Sequence, residues 1–126
     1  MMTTVKRRRG TAIVETPKGI LVVGRNNKTY SLPGGGAEIG ENQKQATIRE
    51  LKEETNLEVS HVEFLFNFEA VFNNHQVYLV EPKGTAKPSH EIKYIEYYNG
   101  TNLKISDAAH EILEQYQYTR PRRMKK

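Results

Sequence analysis

From Pro33 to Asn56 the chain passes through three consecutive glycines straight into a segment crowded with glutamates, and no other stretch restricts the fold as much. Pro33-Gly34-Gly35-Gly36 reads as a loop, prolonged by Glu38, Gly40 and Glu41, in which the backbone can approach a neighbour closely. From Asn42 the pattern turns helical. Asn42 suits the N-cap, Gln45 stands three residues on as its capping-box partner, and good helix formers run through Glu54. Asn56 is expected to end the helix, because asparagine enters the left-handed conformation that helix C-termini often need.

With Glu50 set at 0°, rotation of about 100° per residue puts Glu53 near 300° and Glu54 near 40°, so three carboxylates share one sector. Ala46 falls in that sector, where its small side chain lets another segment approach, and Arg49 flanks it. Ile48, Leu51 and Thr55 cluster at about 100–160° and are predicted to form a separate packing side. Like charges at these spacings destabilise a helix by roughly 0.2–0.5 kcal/mol per pair, and Glu53 and Glu54 also sit near the negative end of the helix dipole. A divalent cation turns the arrangement favourable, since hard cations prefer carboxylate oxygens; an ordinary solvated acidic face is the alternative. The glycines directly before the helix suit a metal–phosphate site, although they lack the Gly-Lys-Ser/Thr ending of a P-loop.

The rest of the chain limits the choices. Its 126 residues are expected to form a single domain, 1–126. With no cysteine, any metal must be held by oxygen or imidazole ligands. No run approaches the roughly 18 apolar residues of a membrane span, and no apolar run follows the basic N-terminal cluster, so a cytoplasmic protein without a membrane partner is expected. Net charge is +4, concentrated in Lys6-Arg7-Arg8-Arg9 and in Arg120, Arg122, Arg123, Lys125 and Lys126. Such clusters attract polyanions, from a nucleoside triphosphate to RNA, or simply solvate the ends.

Strands are predicted for Val5 to Glu15 and Ile20 to Val23, joined as a hairpin through Pro17-Lys18-Gly19, with a brief one at Tyr30-Ser31-Leu32. Val62 to Phe72 and His75 to Val80 are expected to form a second hairpin, turning at Asn73-Asn74. Pro82 to Ser89 reads as a loop and Ile92 to Tyr98 as another strand. Ser106 or Asp107 can cap a second helix carrying Ala109, Ile112, Leu113 and Tyr116 on one side. This order points to an α/β fold, a mixed sheet with helices on its faces. His61, His75, His90 and His110 have no metal-ligand spacing, and surface or hairpin roles are expected for all four.

Taken together, residues 35–57, GGAEIGENQKQATIRELKEETNL, resemble the Nudix box. Gly35, Glu41, Arg49, Glu50, Leu51, Glu53, Glu54 and Leu57 fall in register with its fixed positions, and Asn56 alone departs, where the family has glycine. Tyr30-Ser31-Leu32-Pro33-Gly34-Gly35 is similar to the family's segment before the box, with Tyr30 in place of tryptophan. The resemblance implies the Nudix fold, an α/β/α sandwich around a mixed β-sheet, with a basic tail at 119–126 outside it. It further implies binding of Mg2+, or Mn2+ in its place, by Glu50, Glu53 and Glu54 with a backbone carbonyl at or near Gly35. Glu41 and Arg49 would support the site, the arginine by orienting a glutamate. Family members differ in which glutamate serves as general base; Glu53 is favoured here. Glu91 resembles an acidic residue that assists metal or water, the alternative being an exposed strand-start charge, and Arg25 is a candidate substrate contact.

The implied activity is cleavage of a phosphoanhydride bond in a nucleoside-diphosphate-containing substrate. Markers of the ADP-ribose and diadenosine-polyphosphate classes are absent from the window that Phe72, Asn73 and Asn74 occupy, and residues 25–34 do not match the coenzyme A pattern. Elimination leaves a MutT-like nucleoside triphosphate pyrophosphohydrolase. The alternatives are removal of pyrophosphate from the 5′ end of RNA, and a non-catalytic nucleotide-sensing domain.

Overall fold

Among the described residues, 6–124 with side chains through Gln117, the computed structural model has seven strands and two helices. In chain order these are β1 (Arg7–Ile13), β2 (Glu15–Thr16), β3 (Gly19–Gly24), β4 (Gly34–Gly36), α1 (Gln43–Thr55), β5 (Glu58–Glu69), β6 (Asn73–Lys83), β7 (Tyr94–Tyr98) and α2 (Asp107–Met124). One sheet has the order β4-β1-β6-β5 and the other β2-β3-β7. The first is mixed: β1 runs parallel to β6 and antiparallel to β4, while β5 and β6 are antiparallel.

Alternation along the strands sorts side chains to two faces. Ala12, Leu21, Val23, Tyr78 and Val80 pack with Leu51 of α1, whereas Ile13, Val22 and Val77 pack with Ala109, Ile112, Leu113 and Tyr116 of α2. Both clusters draw on both sheets, so the strands form one middle layer between the helices, the α/β/α arrangement. Each fully buried aliphatic side chain is worth roughly 1.5–3 kcal/mol, and that burial holds α1 and α2 in place more than helix propensity does.

Local signals translate faithfully into helix ends. Asn42 Oδ1 accepts from Gln45 N at 2.7 Å and Gln45 Oε1 accepts from Asn42 N at 2.9 Å, the two halves of the capping box. Asn56 closes α1 with φ 65° and ψ 11°, and its N–H donates to Lys52 O at 2.9 Å. Ser106 caps α2, accepting from Ala109 N at 3.2 Å. That helix continues to Met124, into the segment expected to be a tail from residue 119; the side chains of Arg120, Arg122 and Arg123, and all of Lys125 and Lys126, lie outside the described residues.

Non-local pairing departs from expectation in three places. The expected strand from Val5, itself outside the described residues, divides at Val14: only β2 forms the hairpin with β3, while β1 pairs with β6 and β4. Gly10 explains why β1 lies where it does, because a Cβ there would stand 2.2 Å from Gln43 O of α1. The β5–β6 hairpin turns at residues 70–72, with Ala70 N donating to Asn73 O at 2.8 Å, and not at Asn73-Asn74. Those asparagines are committed to β6, where Arg7 and Arg8 of β1 are their register partners. Finally, the glycine triplet expected as a loop is β4, antiparallel to β1, with Gly35 opposite Gly10.

Candidate active site

Glycine in β4 lets a helix lie directly on a strand. A Cβ at Gly34, whose φ is 151°, would meet Gly10 O at 2.2 Å, and one at Gly35 would meet Glu50 Oε2 at 2.3 Å. With no side chains in the way, the β1–β4 edge packs against α1 on the face carrying Gln43, Ala46, Thr47, Leu51 and Thr55, all buried. By the same rotation of about 100° per residue this face spans roughly 320° to 140° and contains Glu50 and Glu54. The expected separation of an acidic side from a packing side is therefore corrected: two of the three carboxylates sit inside the packing face, and Ile48 is only partly buried.

The consequences are electrostatic. Glu54 accepts a hydrogen bond from Gly34 N at 3.1 Å. Burial pushes its carboxyl up to about 7, with Glu50 and Glu53 adding to the rise while the Gly34 bond and Arg9 oppose it. Burial also raises Glu50, against the pull of the Arg49 charge. Desolvated carboxylates favour either a proton or a cation. Glu53 is more open, its side chain 39% exposed.

Arg49 ties the remaining acids together. Its Nε and Nη2 donate to the two oxygens of Glu41 at 2.8 and 3.0 Å, and Nη2 also donates to Gly36 O at 3.1 Å. From Nη1 it reaches Glu50 Oε2 at 3.2 Å and both oxygens of Glu53 at 3.4 Å. The Arg49 hydrogen bonds hold the Glu41 carboxyl down at about 2, and Glu41 in turn raises the guanidinium. Glu41 is fixed from behind, with Glu38 N donating to its Oε1 at 2.9 Å.

Of these groups, Gly34, Glu50, Glu53 and Glu54 form one wall of a cavity of about 550 Å³. Arg25 and Glu91, distant in sequence, face each other at its rim as an exposed pair 2.5 Å apart. The segment bearing Glu91 is stitched to the end of α1: Lys87 N donates to Thr55 O at 2.8 Å, Ser89 N to Glu54 O at 3.1 Å, and Asn56 Nδ2 to Lys87 O at 3.0 Å. His90, at φ 56°, meets Glu53 O through Nδ1 at 3.0 Å, and since a carbonyl only accepts, that nitrogen carries the proton. Carbonyls that a helix C-terminus leaves unpaired are thus satisfied by the segment that delivers Glu91.

Glu50, Glu53, Glu54, Arg49, Glu41 and Gly35 are accordingly brought together, with Arg25 and Glu91 at the cavity's rim. Among the described residues no group of three acidic or histidine side chains forms a ready cage. Glu50 and Glu54 against a glycine backbone nonetheless fit a magnesium-like ion, which usually takes one or two carboxylates and completes its shell with water and phosphate oxygens.

Two residues have surroundings that their sequence reading missed. His75 takes a hairpin place, opposite Phe68 of β5, but it is buried: its Nδ1 lies 2.9 Å from Thr11 Oγ1, and burial lowers it to about 4. Arg9, read only as part of a basic run, lines the main cavity as well as a second one of about 180 Å³ bounded by Thr11, Ser31, His75 and Ile112. Strand alternation was the available signal, since it turns Arg9 away from Arg8.

The sequence model of the NUDIX domain matches residues 5–122. A structure from Chromobacterium violaceum assigned to the Nudix hydrolase family is 38% identical, covering 94% of this chain and 81% of its own, with a TM-score of 0.88. The MutT NUDIX hydrolase of Burkholderia pseudomallei is 18% identical over 88% of this chain and 98% of its own, with a TM-score of 0.78, a likeness of fold. A bifunctional NMN adenylyltransferase/ADP-ribose pyrophosphatase from Francisella tularensis, complexed with AMP and a Mn ion, is 21% identical over 92% of this chain and 42% of its own, with a TM-score of 0.70. No curated protein matches by sequence. A family model spanning nearly the whole chain, met by the family's glutamates gathered on one cleft wall, makes this chain a member of the Nudix hydrolase family.

Proposed function

We propose that the chain hydrolyses a nucleoside triphosphate to the monophosphate and pyrophosphate, using Mg2+, with Mn2+ as a substitute. The observation carrying this reading is the desolvated Glu50–Glu54 pair laid on the glycines of β4, in a cleft that also presents Arg9 and Arg25. Acidic groups on one wall suit a cation, and basic groups around it suit phosphates. Glu50, Glu53, Glu54 and a carbonyl at or near Gly35 hold the metal in this reading. When bound, the ion neutralises phosphate oxygens and makes water a better nucleophile.

The remaining work falls to the chain. Arg49, anchored on Glu41, fixes the orientation of Glu50 and Glu53. Glu53, the more open carboxylate, accepts the proton of the attacking water; the new bond forms at phosphorus as the anhydride P–O bond breaks and pyrophosphate leaves. Glu91 assists from the rim, and Arg25, released from Glu91, binds a phosphate. RNA is the less favoured substrate, because Lys6 is paired with Glu69 at 2.6 Å and Arg8 donates to Glu41 O at 3.1 Å, leaving less of the N-terminal cluster for a long polyanion.

A turnover screen with magnesium over nucleoside triphosphates, dinucleoside polyphosphates, ADP-ribose, sugar nucleotides and triphosphorylated RNA tests the proposal. Monophosphate and pyrophosphate from a nucleoside triphosphate are expected as the fastest products. Faster cleavage of ADP-ribose, or of RNA ends with steep salt dependence, overturns it.

A further inference from the structure

We infer that Arg9 is an anion subsite for the phosphate nearest the nucleoside. Three observations meet at this side chain. Arg9 stands in β1 opposite Gly36 of β4 and His75 of β6, so its backbone is fixed on both sides by the sheet. Its guanidinium has no hydrogen bond and no ion pair within 4.0 Å among the described residues, although it is only partly exposed. It also borders both the cleft with Glu50, Glu53 and Glu54 and the neighbouring cavity with Thr11 and His75.

A guanidinium offers five donors in a rigid fork that matches phosphate oxygens, and leaving such a group half-desolvated without a partner is unfavourable. The local field makes the shortfall worse from one side and softens it from the other. Arg7 repels it, while Glu54 and Glu50 attract it from beyond ion-pair distance. Once a cation occupies those carboxylates, their attraction for Arg9 is spent, and a phosphate becomes the partner that satisfies the fork. Location chooses which phosphate. Arg9, with Ser31, lines both cavities, so a nucleotide whose anhydride lies over the carboxylates and which extends toward the second cavity presents its ester phosphate to Arg9. Arg25, by contrast, stands at the outer rim with Glu91 and suits the departing end.

This inference rests on the nucleotide reading above but not on which anhydride is cleaved. The test uses binding without turnover: calorimetric titration of the full chain with the four common ribonucleoside monophosphates and the matching nucleosides, with magnesium. Arg9→Gln is expected to weaken the best-bound monophosphate at least tenfold while leaving the nucleoside within twofold. Arg9→Lys, which keeps the charge and loses the fork, should fall between. Mn2+ affinity measured by electron paramagnetic resonance should hold or rise in Arg9→Gln, because a cation near Glu54 has gone. Monophosphate affinity within twofold of the parent, equal losses for nucleotide and nucleoside, or no monophosphate binding by the parent each overturns the inference. Should Arg9→Gln fail to fold, Arg9→Lys takes its place, with at least a threefold selective loss expected and no loss overturning it. A turnover screen favouring another nucleotide anhydride would sink the triphosphate reading and leave this result standing.

Discussion

Glu41 and Glu54 are the same residue type within one loop-and-helix segment, yet their surroundings drive them in opposite directions. Glu41 receives two hydrogen bonds from Arg49 and one from Glu38 N, and its carboxyl is held at about 2. Glu54 receives one, from Gly34 N, lies under β4 and rises to about 7. The first carboxylate is satisfied by the protein itself; the second is left for something else. With Glu41 in the loop before α1 and Glu54 near the helix end, hydrogen bonding to Arg49 makes the first a supporting group and burial under β4 makes the second a cation-seeking one.

The largest expected effect comes from removing the unsatisfied member. Glu54→Gln should lower turnover by at least about a hundredfold, the scale of losing a group that stabilises transition-state charge, while metal-free thermal melting stays level or improves. Turnover and melting then move independently. A large drop in melting temperature would show that Glu54 is structural after all.

Next in size is the anchor. Glu41→Gln leaves the carboxylates in place but frees Arg49, and roughly ten- to a hundredfold loss of activity is expected, as for other outer-layer partners of metal sites. Metal affinity should weaken in parallel, measured by Mn2+ titration. Activity within twofold of the parent would mean that Glu50 and Glu53 need no orientation from Arg49.

Protonation separates the two environments further. Glu41, depressed in the fold, contributes stability above about 4.5 that is lost as pH falls toward about 2. Glu54, raised in the fold, works the other way: between about 4.5 and 7 the folded chain binds more protons, so metal-free stability falls as pH rises. His75, lowered to about 4, stays neutral in the fold while the unfolded chain protonates near 6.5, so stability is lost as pH falls from 6.5 through 4. Glu54 and His75 therefore oppose each other across most of that window. Metal-free denaturant titrations should show Glu54→Gln steepening the loss of stability on acidification and His75→Gln flattening it. If both variants keep the parent's pH profile, neither group titrates as its burial requires.

How much of this was legible in the residues depends on the range of the interactions. The ends of α1 were legible because capping is local: Asn42, Gln45 and Asn56 act on backbone a few residues away. The gathering of Glu50, Glu53 and Glu54 followed from helix rotation. Which face packs did not, because the answer lies in what Gly10 and Gly35 lack, and a missing Cβ matters only once another segment arrives. The division of the first strand at Val14 and the use of Asn73-Asn74 in β6 depend on parallel pairing with a strand far along the chain. Arg9 was hidden by its basic neighbours, whose shared charge obscured the alternation that points them to opposite faces.

The smallest expected effect tests whether the tether behind Glu91 belongs to the machinery. Asn56 stands at φ 65°, where glycine enters without strain, and by that measure Asn56→Gly is favourable by a few tenths of a kcal/mol. The same substitution removes the bond from Nδ2 to Lys87 O, an exposed contact of about 0.5–1.5 kcal/mol at most. The first term offsets part of the second, so stability should fall by no more than about 1 kcal/mol and activity should change by less than about twofold. Two backbone bonds from residues 87 and 89 and the His90 contact still hold the segment to α1. A loss beyond tenfold in kcat with normal melting would show the opposite: that the cap positions Glu91 through Lys87, and that the end of α1 serves catalysis as directly as its carboxylates do.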